Sequence, residues 1–259
     1  MQQLLQRRIA MHLVCLSRDP LCTWSGLLLC LFLVAGCEPL AGDFPRDPHH
    51  SLERILERGT MRVGVVANPP WIAEVESLPV GPEAELLTDF AEQLGVDIEW
   101  HWGSEEELFE ALKQYSLDVV AGGLTSSTPW QKEIGLTLPY YKNTAVVGTR
   151  EEADQLDPLD GREVTIRPTS GLKRLLQNRD ARVNENDNLS GSDDAIAAQM
   201  WEVRGMGWHA SDVVLRELQQ VLAVPSGENA LLMRLERFVL ANVDVGQLEA
   251  ELWQHRSRP

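Results

Sequence analysis

Beyond residue 37 the sequence has no cysteine: all four, Cys15, Cys22, Cys30 and Cys37, lie near the start of the 259-residue chain. The body of the protein therefore has neither a disulfide framework nor a thiolate metal site. Positive charge is also scarce. Lys+Arg 23 against Asp+Glu 39 gives a formal net charge of −16, and a surface so acidic repels phosphate backbones, which excludes nucleic acid as a partner. There is no Gly-x-Ser-x-Gly elbow, no His-Glu-x-x-His, no P-loop and no Gly-x-Gly-x-x-Gly, so the nucleophile, zinc and phosphate signatures are missing. The six histidines are scattered, and adjacent His49 and His50 lack further ligands at metal-site spacing. With so many carboxylates some pair always faces a cleft, so a two-carboxylate hydrolase has no specific support. No cofactor and no metal are expected, and the chain is expected not to be an enzyme.

What is present begins with a targeting pattern. Arg7, Arg8 and Arg18 form a positive leading region, and residues 26–34 (GLLLCLFLV) are an uncharged apolar run, too short for a bilayer span of ~20 residues. Val34-Ala35-Gly36-Cys37 resembles the bacterial lipobox, which implies a signal peptide over 1–36, lipidation of Cys37 and attachment to a membrane through it. Glu38 fits either the inner or the outer membrane. Removal of residues 1–36, which carry a net charge of +2, leaves a mature chain near −18. Residues 37–50 hold three prolines and no apolar periodicity, which reads as a solvated, lipid-anchored tether.

The folded part alternates strand and helix. A β-branched run at 61–66 (MRVGVV) precedes the turn-rich ANPPW at 67–71. Ala84, Leu87, Ala91 and Leu94 share one helical face, stopped by Gly95. Residues 96–102 alternate with period two, 105–115 form a second amphipathic helix, and 117–123 (LDVVAGG) read as a buried strand. Two successive right-handed crossovers make a parallel α/β sheet, whose ligands bind beyond the carboxyl ends of the strands, at 68–71 and 122–125. A strand at 144–148 leads to a second, smaller unit: a strand at 161–166, the loop 167–171, a helix to about Asn178, a helix near 193–202 and a weak strand around Trp208. The chain then returns through residues 221–225 and two helices. The boundaries expected are 51–143 for the first part of lobe 1, 144–218 for lobe 2 and 219–259 for the return to lobe 1.

The stretches 61–71 (MRVGVVANPPW), 81–96 (GPEAELLTDFAEQLGV), 117–141 (LDVVAGGLTSSTPWQKEIGLTLPYY), 160–176 (DGREVTIRPTSGLKRLL) and 224–239 (VPSGENALLMRLERFV) together resemble the family 3 extracellular solute-binding proteins of ABC uptake systems. The resemblance implies an α/β fold of the periplasmic-binding-protein type II class, a clamshell of two lobes with a two-crossing hinge that closes on a small ligand. It also implies a ligand-binding set: Trp71 as a wall for the ligand side chain, Gly123, Leu124 and Thr125 as holders of its carboxylate, Thr169 and Ser170 at a helix start on the second lobe, and Asp212 toward its ammonium. From the residues alone, Trp71 reads equally as a cap on the sheet edge, Ser170 as a helix cap, and Asp212 as a helix cap. The family's carboxylate-gripping arginine falls at Trp130, and an indole does not replace a guanidinium fork. That departure, with the acidic surface, favours a cationic or neutral ligand.

The function implied is a monomeric, lipid-anchored receptor on the periplasmic face of a bacterial membrane, capturing a small polar, amino-acid-like solute for an ABC permease. The alternative is a ligand-sensing or regulatory module of the cell envelope that transports nothing, with cell-wall fragments as ligands. A third reading is an enzyme similar to the periplasmic cyclohexadienyl dehydratases. Membrane-bound lytic transglycosylases carry a similar binding module ahead of a catalytic domain, for which a chain stopping at Pro259 is expected to have no room.

Overall fold

The structure is a computed structural model that describes residues 47–151, 159–191 and 194–256. The signal-peptide and lipidation readings, Cys37 included, lie outside the described residues. Among the described residues no helix is long and apolar enough to cross a membrane.

The first sheet has the order β4-β1-β5-β12-β6. Strand β1 (Thr60–Val65) pairs in parallel with β4 (Asp97–Trp102) and β5 (Val119–Ala121), while β12 (Ala223–Pro225) runs antiparallel to β5 and to β6 (Ile134–Leu136). The crossovers are the expected helices, α2 (Pro82–Leu94) and α3 (Glu105–Lys113). Helix α3 starts at a full capping box, in which the Ser104 hydroxyl accepts from Glu107 N and the Glu107 carboxylate accepts from Ser104 N. Gly95 closes α2 in the left-handed conformation at φ 72°, which glycine adopts without penalty. One core layer gathers Met61, Val63, Val65, Leu87, Phe90, Leu231, Leu235 and Leu252 on one face of this sheet; the other packs Leu108, Phe109 and Leu112 of α3 on the opposite face.

The sequence reading missed two elements here. Helix α1 (Ser51–Arg58) precedes β1, and a hairpin of β2 (Ala73–Val75) and β3 (Leu78–Val80) follows the first loop. The tether reading is corrected at its described end in one respect: Pro48, His49 and His50 are exposed, but the segment is tied to the fold. The Asp47 carboxylate accepts from Leu52 N, Ala230 N and Leu231 N, and Glu228 accepts from His49 N and Ser51 N. These two carboxylates satisfy amides that helix starts leave free, stitching the entering chain to α6 (Asn229–Asn242).

The second sheet has the order β11-β7-β10-β8-β9, formed by β7 (Tyr141–Thr149), β8 (Glu163–Ile166), β9 (Arg182–Glu185), β10 (Ala195–Gln199) and β11 (His209–Gln220). The helix expected near 193–202 is corrected: residues 195–199 are strand β10, and only Met200–Gly205 is helical (α5). Alanine favours helix in isolation, but this run lies buried between β7 and β8, where a small, double-sided strand fits. The weak strand around Trp208 is the twelve-residue β11. Strands β7 and β11 pair antiparallel from Tyr141↔Gln220 to Thr149↔His209 and are the two connections between the sheets. A short α4 (Lys173–Gln177) covers one face of the second sheet, and α7 (Val245–His255) ends the described chain.

Candidate functional site

The first rim forms where β1 and β5 end. Asn68 Nδ2 donates to Gly122 O at 2.9 Å, tying the two loops together. Gly122 and Gly123 both have positive φ, 136° and 68°. A Cβ on Gly123 would stand 2.5 Å from Trp71 Cδ1 and 2.6 Å from Asn68 Nδ2, so only glycine fits. Trp71 is 5% exposed and lies 5.8 Å from the Tyr141 ring; it packs between Gly123 and the start of β7.

The amides of Gly122 and Gly123 point at Oε2 of Glu83, at 2.7 and 2.9 Å, and the Tyr140 hydroxyl donates to Oε1 of the same carboxylate. The sequence reading singled out neither Glu83 nor Tyr140. Burial pushes the Glu83 carboxyl up, against the three hydrogen bonds that favour its charged form, and burial likewise raises the Tyr140 phenol well above its usual value. Thus the Gly123 amide, expected to hold a ligand carboxylate, is already spent on a carboxylate of the protein. The Leu124 and Thr125 amides make no hydrogen bond among the described residues, and the Thr125 hydroxyl lies 3.1 Å from that of Ser127. The Leu124 side chain is buried under α3.

Trp130 does not join this rim. Its ring meets Phe109 edge-on at 5.9 Å, with Lys113 Nζ 5.2 Å from its centroid; a large apolar ring gains more on the apolar face of α3 than beside a polar loop. The second rim forms where β8 and β10 end. Arg167 and Glu202 make an ion pair, and with Thr169, Ser170, Gln199 and the buried Leu172 they line a cavity of about 170 Å³. Ser170 is the last residue of a 3-10 turn (Pro168–Ser170), and α4 starts only at Lys173 with Leu172 as its N-cap. The expected helix-start anion site is therefore not formed, and Ser170 does not cap that helix: Gly171 separates the turn from it, and the Ser170 hydroxyl accepts from Leu172 N at 3.4 Å, ahead of the first helical residue. Asp212 is also corrected. It is exposed on β11, in the irregular stretch between Ala210 and Val214, neither a helix cap nor a lining residue of this cavity.

Among the described residues no group of three or more His, Cys, Asp or Glu could hold a metal ion. Gln199, Glu202 and Arg167 carry no motif in the sequence; the signal that points to them is the end of a buried strand parallel to β8.

Two α/β lobes, joined by two strands and carrying polar loops at their strand ends, define the two-lobed fold of periplasmic ligand-binding proteins. Residues 61–252 match the bacterial extracellular solute-binding proteins, family 3, and the chain belongs to that family. It is 35% identical over 119 residues, 46% of this chain, to membrane-bound lytic murein transglycosylase F of Vibrio cholerae serotype O1, and this match covers 21% of that protein. The chain thus spans only about a fifth of the length of that curated relative. Among solved structures it is similar to an ancestral cationic amino acid solute-binding protein (TM-score 0.61, 19% identity, 80% of this chain and 99% of that one). It is also similar to an ancestral cyclohexadienyl dehydratase (TM-score 0.57, 18% identity, 79% of this chain and 95% of that one). The expectation that the chain is not an enzyme is corrected by the curated match, since that relative, of which 21% is covered, is named a lytic murein transglycosylase.

Proposed function

We propose that this chain is a lipid-anchored, extracytoplasmic ligand-binding domain whose two lobes close on a small polar solute of amino-acid or short-peptide character. Its output is regulatory: occupancy of the cleft informs a murein-processing activity of the envelope. The observation that carries the binding reading is the pair of polar rims at the strand ends, with the Leu124 and Thr125 amides and the Thr125 hydroxyl on one lobe and Arg167, Thr169, Ser170 and Gln199 around a cavity on the other. Trp71, beside Gly123, closes the first rim on its apolar side. The likeness to a lytic murein transglycosylase supports the regulatory output and makes peptidoglycan peptides the ligand class to try first. In this reading residues 1–36 are a signal peptide, Cys37 carries the lipid, and residues 51–143 and 219–259 flank a second lobe at 144–218.

A second reading, delivery of an amino acid to an ABC permease, is favoured by the fold shared with a cationic amino acid solute-binding protein. Thermal denaturation of the purified protein with L-arginine, L-glutamate and a murein tetrapeptide separates the two. At 100 times its dissociation constant a ligand adds ~2.7 kcal/mol, on the order of 5 to 10 °C for a domain of this size. A shift with the murein peptide alone supports the regulatory reading, a shift with a free amino acid alone supports delivery, and a flat panel from folded protein sinks both.

A further inference from the structure

The two strands that join the lobes have one face between the two rims. Residues directly opposite in an antiparallel pair project to the same face, as do residues two apart along a strand. Gln220 opposes Tyr141, Leu218 opposes Asn143, and Arg216 opposes Ala145, so Gln220, Asn143 and Arg216 share this face. At one end the Gln220 amide faces Leu124 O at 2.9 Å and Gly123 O at 3.1 Å, on the first rim; two carbonyls there require a donor, which assigns the nitrogen to that side. At the other end Arg216 Nη2 donates to Ser170 O at 3.2 Å, on the second rim. The face therefore runs from one rim to the other as a floor.

Two groups on this floor are unspent. Arg216 Nε and Asn143 Oδ1 are buried with no hydrogen-bond partner, and Asn143 is 7% exposed. Arg58 and Arg62 share Asp118, and Arg167 is paired with Glu202. Half-buried Arg216 has no carboxylate at ion-pair distance among the described residues, in a chain where acids outnumber bases 39 to 23. A guanidinium taken partly out of water without a counter-ion is costly unless something anionic completes it. On the first rim the amides of Gly122 and Gly123 are given to Glu83, and the position where the resemblance expects an arginine is Trp130, packed on α3.

We propose that Arg216 is the anion anchor of the cleft: the ligand's carboxylate docks on Arg216 beside the Thr169–Ser170 turn of the second lobe, with Asn143 accepting from a ligand N–H. The inference rests on the binding function proposed above and fixes its ligand as a carboxylate-bearing solute held acid end toward the second lobe. A planar guanidinium whose Nε has no partner, and whose Nη2 keeps a second hydrogen beside the one given to Ser170 O, takes a carboxylate through two parallel bonds.

The test is a binding cycle on the full chain by calorimetry, with the panel member that gives the largest thermal shift and its carboxamide analogue. In the wild type the carboxamide should bind about 10- to 100-fold more weakly, the loss of one charge-assisted pair. In Arg216→Gln the carboxylate form should fall to the carboxamide's level, and the two analogues should then differ by less than about 3-fold. Arg216→Lys, which keeps the charge and loses the fork, should retain part of the discrimination and guards against an Arg216→Gln chain that fails to fold. Wild-type discrimination that persists undiminished in folded Arg216→Gln or in Arg216→Lys overturns the inference while leaving the binding function standing. A wild type that binds no panel member overturns the binding function itself, and the anchor with it.

Discussion

At the scale of single residues the least expected feature is Glu83, whose carboxylate fills the cradle of the Gly122 and Gly123 amides and takes the Tyr140 hydroxyl. It stands in the first turn of α2, where a negative charge meets the positive end of the helix, yet burial dominates and raises its pKa. A carboxyl held above its unfolded value is more protonated in the folded state. It therefore contributes stability in acid that is lost as pH rises through the folded-state pKa, upward from the ordinary carboxylate range. Glu83→Gln removes that titration while keeping an acceptor for the cradle. Urea unfolding at pH 5 and pH 7.5 should show the stability of the wild type relative to Glu83→Gln declining toward the higher pH. An equal difference at both values would mean that the three hydrogen bonds, and not burial, set the protonation of this group.

At the scale of elements, the junction of α5 with α7 is where the cavity-bearing part of the second lobe meets the end of the chain. Arg204 Nη1 reaches Glu249 at 2.8 Å, Tyr141 donates to the same carboxylate at 3.2 Å, and Gly205 lies flat against the indole of Trp253. A Cβ on Gly205 would stand 2.3 Å from Trp253 Cδ2, so Gly205→Ala forces the helices apart. A loss of about 1 to 3 kcal/mol in chemical unfolding is expected. Arg204→Ala, which breaks a pair exposed on the arginine side, should cost less than about 1 kcal/mol. If the alanine at 205 is neutral, the α5–α7 contact contributes nothing to holding the lobes.

Elements of this kind were legible in the sequence where period and turn chemistry agreed. The apolar stripe Ala84-Leu87-Ala91 with Gly95 after it gave α2, and the run 117–123 gave β5. Period failed for β10, because four buried residues in a double-sided strand have no alternation to read, and their alanines point toward helix. The site was legible only as loops. Gly123 and Trp71 stand where strand ends place them, but Asp212 comes from the family resemblance alone, on a segment whose strand length no local pattern gives. Arg216 and Asn143 carry no motif. They became visible only once β7 and β11 were paired in register, because a functional residue in the middle of a strand is marked by its orphaned donor and its neighbours across the sheet, neither of which is local in sequence.

At the scale of the whole molecule the charge of −16 acts on folding as self-repulsion. The best-buried ion pairs, Arg58 and Arg62 with Asp118, involve a carboxylate side chain only 3% exposed, so salt screens them little. The pairs at the surface, such as Lys142 with Glu217 and Lys173 with Glu185, contribute little at any ionic strength. What salt does change is the repulsion among surplus carboxylates. The Debye length falls from about 30 Å at 0.01 M to about 8 Å at 0.15 M, from the span of the whole domain to that of near neighbours. The melting temperature should therefore rise between these two NaCl concentrations, by screening alone, before any preferential exclusion of the salt acts at higher concentration. Sodium chloride and potassium chloride should give the same rise, as screening depends on ionic strength and not on the identity of the cation. A melting temperature that falls with salt would mean that surface ion pairs outweigh the self-repulsion. A rise with one cation only would point to specific binding of that ion by the acidic surface.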